Sequence, residues 1–405
     1  MHDSATRRFE AIETARTGSP IDHAVTDADR RWTSLDQDDA KSEIFDRKAR
    51  ANASTYQRNI ESYIGTVNIP VGLAGPLRIH GRDGTTDYRV PLATTEAALV
   101  ASYNRGSKLL TAAGGCNARV VDEAVGRTPV FAFERLTDAE TFANFITKHS
   151  DKLNSVVAEV TAYGQLLSVR PVTEGNHVYV DLRYKTEDAS GQNMVTFASE
   201  AICKAILERA PVEPRYWFLE GNLSGDKKAT TQTLGGVRGK RVIADASIPR
   251  ELVCQQLHTT PDRMTDYWYA SAIGGVMSGS TGIHGHFANA LAALYLACGQ
   301  DVACVAESAT GITRLETTEA GDLYASVTLP NIMVGTVGGG TGLPSAKACL
   351  NILGLSGAGK STALAEVSAA IVLAGELSIV GAFCSADFAT AHCALSRGQP
   401  ANRRK

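Results

Sequence analysis

Four short segments, far apart in a chain of 405 residues, carry side chains able to move protons or stabilise charge. They are Glu96 in TTEAALVASYNRGSK, Asp226-Lys227-Lys228 in GNLSGDKK, Asp301 in ACGQD and His392 in ATAHCALSR. Glu96 follows two threonines at the start of an apolar run, where a carboxylate gains from the helix dipole and free backbone donors. It therefore reads as a helix cap as readily as a proton donor. Lys227 lies between Gly221, Gly225 and the basic GVRGKR segment, as a solvated charged loop would. Buried between Asp226 and another acid, it would stay protonated and could stabilise a developing oxyanion. Asp301 follows ACGQ at a helix end, where the dipole disfavours negative charge, and that conflict points to a working carboxylate. His392 is either an ordinary histidine or a proton donor to a thiolate.

The elements that must position these groups alternate along the chain. Residues 1 to 52 are rich in Asp, Arg and Lys and read as an arm, with a solvated helix from Asp36 to Arg58. ESYIGTVNIPVGLAGPLRIHG reads as strand and turn. From Thr95 small and apolar residues recur at helical spacing to Gly114-Gly115. Between Pro129 and Phe218 the expected order is strand, helix (Asp138 to Lys152), strands around Val156 to Val172 and His177 to Arg183, then helix (Met194 to Arg209). That order suits a compact sheet-and-helix module, residues 129–218, inserted into a larger domain of residues 53–128 and 219–375. A last helix is expected to begin near Ala374, and residues 376–405 form a C-terminal segment carrying His392. The most apolar late stretch, Ala369 to Phe383, is interrupted by Glu376 and reads as too short for a bilayer.

Composition excludes several classes. Forty basic side chains nearly balance 43 acidic ones, so neither nucleic acid nor an acidic membrane surface is an expected partner. The start lacks the apolar middle of a secretory signal, and the eight cysteines show no metal-type spacing, which suits reduced thiols in a cytoplasmic, soluble protein with no metal. Two glycine-rich runs stand out. VGTVGGGTGLP, from Val334, could let backbone approach a phosphate or a flat ring without the GxGxxG spacing. EDASGQNMVT, from Glu187, offers a turn into a helix whose amino end could face a pyrophosphate. A third, GLSGAGKS from Gly354 to Ser361, matches the Walker A pattern, with Lys360 and Ser361 as candidate phosphate ligands; the CLNIL before it is strand-like, although LPSAKACLNILG as a whole reads as an apolar helix. Too little chain remains after it for the further strands and acidic residue that a nucleotide-phosphate fold requires.

From about Asn59 to Arg397 the chain resembles hydroxymethylglutaryl-CoA reductase, most strongly at IPVGLAGPL, TTEAALVASYNRGSK, GNLSGDKK, HGHFANALAALYLACGQD and DLYASVTLPNIMVGTVGGGTGLP. The DKK loop and late histidine look like class I of that family. The resemblance implies an α+β fold with a large helix-rich substrate domain, an inserted small ferredoxin-like cofactor domain and the C-terminal helical segment. It implies reduction of hydroxymethylglutaryl-CoA to mevalonate, in isoprenoid biosynthesis, by two hydrides from NADPH, with NADH left open. Lys227 would stabilise the oxyanion, Asp301 would set its neighbours' charge state, Glu96 would protonate the aldehyde oxygen, and His392 would protonate the leaving thiolate. Arg127 with Lys228 would hold the distal carboxylate beside Asp226, while Ser102, Asn104, Arg105, His286 and Asn289 would line the acyl-CoA site. Asp188, Asn193, Gly338, Gly339, Gly340 and Arg397 would line the cofactor. A homodimer or homotetramer would follow, since sites of this kind form between two chains.

The chain departs from that pattern at several positions. Ser190 and Gln192 in DASGQNM replace methionines, which makes the wall for the cofactor ring more polar. Glu220 replaces a serine before Gly221-Asn222. DYWYASAIGG carries no lysine, and none occurs between Lys240 and Lys347. Ala162-Tyr163 stands where a Ser-Arg pair contacts the cofactor's extra phosphate, and Gly398 replaces a serine that could be phosphorylated. A related reductase acting on a different acyl-CoA, and a P-loop protein, are the alternative readings.

Overall fold

The computed structural model describes residues 20–35 and 37–385, which divide into two compact units at Ile69 and Pro70. The first unit corrects the expectation of a solvated arm ending at residue 52. Instead of one helix over Asp36 to Arg58 it holds Asp38–Ile44, Arg47–Ala51 and Ala53–Tyr56, after a longer helix Pro20–Leu35. Their inward faces, with Phe45 and Tyr63 from the chain outside the helices, share a core of Ala24, Ala28, Trp32, Phe45, Ala49, Ala53 and Tyr63. The Trp32 indole donates to the Ile64 carbonyl at 2.7 Å, and the Tyr63 hydroxyl to the Ala49 carbonyl at 3.0 Å. Spaced small residues among charges concealed this apolar face, because Ala carries little hydrophobic signal.

In the second unit, mixed α and β, eleven strands join one sheet among the described residues. They are β1 (Val71–Gly81), β2 (Gly84–Ala93), β3 (Cys116–Arg127), β4 (Val130–Ala132), β5 (Gln165–Glu174), β6 (His177–Lys185), β7 (Tyr216–Phe218), β8 (Arg238–Ile248), β9 (Gly282–Ile283), β10 (Gly311–Thr317) and β11 (Leu323–Ile332). The order is β7-β4-β6-β3-β8-β11-β10-β9, with β1 against β2 and β3, and β5 against β6. Strand β3 links the two halves: Asn117 to Val125 pair with β8 and Val125 to Arg127 with β6. Arg127 therefore emerges where the halves meet.

The helix Ser361–Ser385 runs through the core, against the helix Leu99–Ala112 and strands β3, β8 and β11. It begins well before the expected Ala374. Its 25 residues are long and apolar enough to cross a membrane, but 89% of its most apolar window is buried inside the fold. Gly106 touches the backbone of Ala374 and Gly375 touches the ring of Tyr103, contacts so close that a Cβ at either position would collide. Val156 to Val160, expected as strand, closes the helix Leu153–Val160. CLNIL lies in the helix Pro344–Leu353, so the Walker A-like run follows a helix rather than the strand its pattern requires.

Candidate active site

Lys227 stands on the turn between β7 and β8 with φ 55°, a left-handed conformation that a side-chain-bearing residue adopts only when its surroundings impose it. Its ammonium meets Asp301 Oδ2 at 2.9 Å. Asp301 is not left at a helix end. Gly299, at φ 65°, terminates the helix Phe287–Cys298, and Asp301 opens the next turn by accepting from Ala303 N at 3.0 Å. The dipole conflict expected from the sequence is thereby removed. Gln192 Nε2 adds a third donor at 3.1 Å to Oδ2. Burial pushes the Asp301 carboxyl up, but the bonds from Lys227, Gln192 and Ala303 outweigh it and hold it below the usual carboxylate range. The bond to Asp301 raises Lys227 above the ordinary ammonium value against its partial burial, so the pair is fully charged. Burial pushes the neighbouring Cys304 thiol up to about 12, which keeps it protonated and unreactive.

The expected partnership of Lys227 with Asp226 is not formed. Asp226 pairs with the fully buried Arg238 and accepts from Arg127 NH1 at 3.3 Å. Arg238 also faces the buried Glu307 at 3.6 Å, and Arg127 NH1 reaches Glu220 at 3.1 Å. The resulting chain, Glu307–Arg238–Asp226–Arg127–Glu220, alternates in sign and holds the turn beneath Lys227. Burial raises the Glu307 carboxyl more than Arg238 lowers it. Lys228 donates to the Asp226 carbonyl at 3.0 Å. Arg238 and Glu307 were missed from the sequence. The basic GVRGKR segment was visible, but that Arg238 and Lys240 are its buried cations depends on β8 alternation and on acidic partners far along the chain.

Other candidates form a second set of contacts. Glu96 lies before the helix Leu99–Ala112, not in its first turn, because Ala98 at φ 69° breaks the run. Its exposed carboxylate accepts from Asn289 Nδ2 at 3.3 Å. Ser102 Oγ and Arg105 Nε meet Ser378 Oγ at 2.8 and 3.0 Å, and Asn104 accepts from Gly75 N at 3.1 Å. His286 stacks on Tyr103 and sits against Glu376, which accepts from His286 Nδ1 at 3.0 Å, His286 N at 2.8 Å, Gly285 N at 2.7 Å and Thr313 Oγ1 at 2.7 Å. Burial pushes the enclosed Glu376 carboxyl up, yet these donors outweigh it and hold it low. Its sequence signal was a lone acid interrupting an apolar run.

The glycine run and the strip 187–193 come together beside Asp301. A Cβ on Gly335 would meet Ser190 N at 2.6 Å, and one on Gly340 would meet Gly299 O at 2.6 Å, so only glycine permits these approaches. Gly338 and Gly339 are exposed, with open space where a side chain would project. Asn193 is exposed in the first turn of the helix Gln192–Leu207. The Asp188 carboxylate, expected at a cofactor, accepts from Gly359 N at 2.7 Å and Ser361 N at 3.2 Å. Burial raises Asp188, but these amides hold it below the usual range. The Walker A-like loop thus already directs its amides to an internal carboxylate. His392 and Arg397 lie outside the described residues.

Residues 27–397 match the family described as Hydroxymethylglutaryl-coenzyme A reductase. The chain is 43% identical over 347 residues to the 3-hydroxy-3-methylglutaryl-coenzyme A reductase of Pyrococcus horikoshii, covering 84% of each chain. It is 41% identical over 351 residues to that of Haloferax volcanii, covering 85% of this chain and 86% of the relative. Among solved structures, the class II 3-hydroxy-3-methylglutaryl-CoA reductase of Streptococcus pneumoniae bound to NADPH in open conformations is similar in fold, with a TM-score of 0.64 at 18% identity over 88% of this chain and 96% of that one. A match running through every segment that builds the Lys227–Asp301 site, with relatives alike over most of their length, means that this chain belongs to the hydroxymethylglutaryl-CoA reductase family.

Proposed function

We propose that this chain reduces 3-hydroxy-3-methylglutaryl-CoA to mevalonate and CoA, consuming two NADPH and two protons. The observation that carries the reading is the charged Lys227–Asp301 pair at 2.9 Å, tied through Gln192 to the strip beside the exposed glycines. NADPH, when bound, supplies the hydride for each step. Gly338, Gly339 and Asn193 would hold it, since they offer open backbone and a helix amino end; Asp188 would act by fixing the adjoining loop. Gln192 orients Asp301 in this reading, rather than forming a polar wall for the ring.

Each hydride addition puts negative charge on the substrate's carbonyl oxygen, and Lys227, held protonated by Asp301, stabilises it there. Glu96 supplies a proton to the aldehyde oxygen in the second reduction. His392 protonates the departing thiolate. Arg127 and Lys228 face the acyl end, with Asp226 fixing both; Ser102, Asn104, Arg105, His286 and Asn289 shape the remaining wall, and Arg397 the cofactor's far end.

Residues 129–218 form the cofactor module in this reading, and it is ferredoxin-like. Support comes from the strand order β7-β4-β6-β5, antiparallel throughout, with the helices Leu136–His149 and Gln192–Leu207 as connections. The protein is cytoplasmic and assembles as a homodimer or a homotetramer. Tyr269, Ile273, Val276 and Met277 recur on one face of the helix Pro261–Ser278 and are 61%, 63%, 73% and 83% exposed, a patch that a second copy would cover. The test is loss of nicotinamide absorbance with NADPH and NADH separately, against the named acyl-CoA. Appearance of mevalonate with two nicotinamides oxidised per product supports the reading; no oxidation with either cofactor overturns it.

A further inference from the structure

Glu220 lies between β7 and the Lys227 turn, directly against Arg127. Its Oε2 accepts from Arg127 NH1 at 3.1 Å and from Ser224 Oγ at 3.0 Å, while Oε1 accepts from Asn222 N at 2.7 Å. Only 12% of the Arg127 side chain is exposed. Its NH1 is shared by Glu220 and Asp226, and its NH2 donates to Thr196 Oγ1 at 3.2 Å. The Arg127 guanidinium, the group proposed to receive an acyl group's far end, is therefore already engaged by two carboxylates of the chain itself.

We propose that Glu220 is a specificity-determining residue that competes with the acyl group's distal carboxylate for Arg127, so that the native site accepts acyl-CoA thioesters with an uncharged distal end at least as well as anionic ones. This rests on the reductase reading and on Arg127 as the acyl-end partner. A substrate carboxylate reaching Arg127 must come within hydrogen-bonding range of Glu220, and like charges that close repel strongly where water is partly excluded. A carboxamide or hydroxyl end incurs no such penalty and can donate to Glu220 instead. Glu220 cannot swing aside freely, because doing so would break its bonds to Asn222 and Ser224.

The experiment compares hydroxymethylglutaryl-CoA with its distal carboxamide, of equal shape and no charge there, in the native protein, Glu220→Gln and Glu220→Ser. The readout is the ratio of kcat/KM for the carboxylate over the amide, with calorimetric binding of both compounds alongside. The expected result is a ratio raised about tenfold or more in both variants, through KM of the carboxylate. A Glu220 that merely braces the turn would shift both substrates in parallel, and an unmoved ratio in folded variants overturns the proposal. If the native protein turns over neither compound, the reductase reading fails separately. Binding then decides: tighter binding of the carboxylate to Glu220→Gln supports charge competition, and equal binding overturns it.

Discussion

In the proposed mechanism Lys227 acts only while protonated, and its neighbours set the pH range over which that holds. Because Asp301 raises its pKa, the pair's contribution is complete below the unfolded lysine value and is lost as pH climbs through the folded one. Asp301, held low, keeps its charge until pH falls below the ordinary carboxylate range. Asp301→Asn should therefore move the alkaline limb of the kcat/KM profile to lower pH; an unmoved limb would show that Lys227 is not the titrating group. Lys227→Ala should lower kcat/KM by about 100- to 1,000-fold, the scale for losing one oxyanion donor, as measured by NADPH consumption. Lys227 and Asp301 were legible in the sequence because each sits in a distinctive short motif. Their pairing was legible only by resemblance, and the alternative in which Asp226 flanks Lys227 is closed because the buried Arg238 claims Asp226.

At the scale of elements, the helix Ser361–Ser385 organises the second contact set from within the core. Glu376 satisfies two backbone N–H groups and the Thr313 hydroxyl, so Glu376→Ala would strand these donors and should cost roughly 3–5 kcal/mol in a denaturant titration. Its carboxyl is held low, so this stabilisation is present above the ordinary glutamate value and fades as pH falls through the lowered one. An acid-side stability profile unaltered by Glu376→Gln would sink that account. Periodicity revealed the helices Leu136–His149 and Gln192–Leu207 to within a few residues. It failed at Leu153–Val160, where a short run with Val suits a strand and a buried helix equally.

Over the whole molecule, the Lys227 and Glu96 contact sets belong to one reaction in the proposed mechanism, and assembly through the exposed face of Pro261–Ser278 would bring one subunit's set to its partner's. Mixing the impaired Lys227→Ala and Glu96→Gln proteins under conditions of subunit exchange should then restore NADPH oxidation well above that of either alone. A mixture that exchanges subunits yet stays silent would place a complete site in each chain. The mixed α and β architecture could be anticipated from alternating patterns, whereas the unit of residues 20–69 could not, since its core is built largely of alanines. The grip of Gly359 and Ser361 on Asp188 ties the strip expected to carry the nicotinamide to the starting turn of the central rod. A shift of that strip on cofactor arrival would tug the rod along its axis, a mechanical tether between the two sets of contacts carried by one chain.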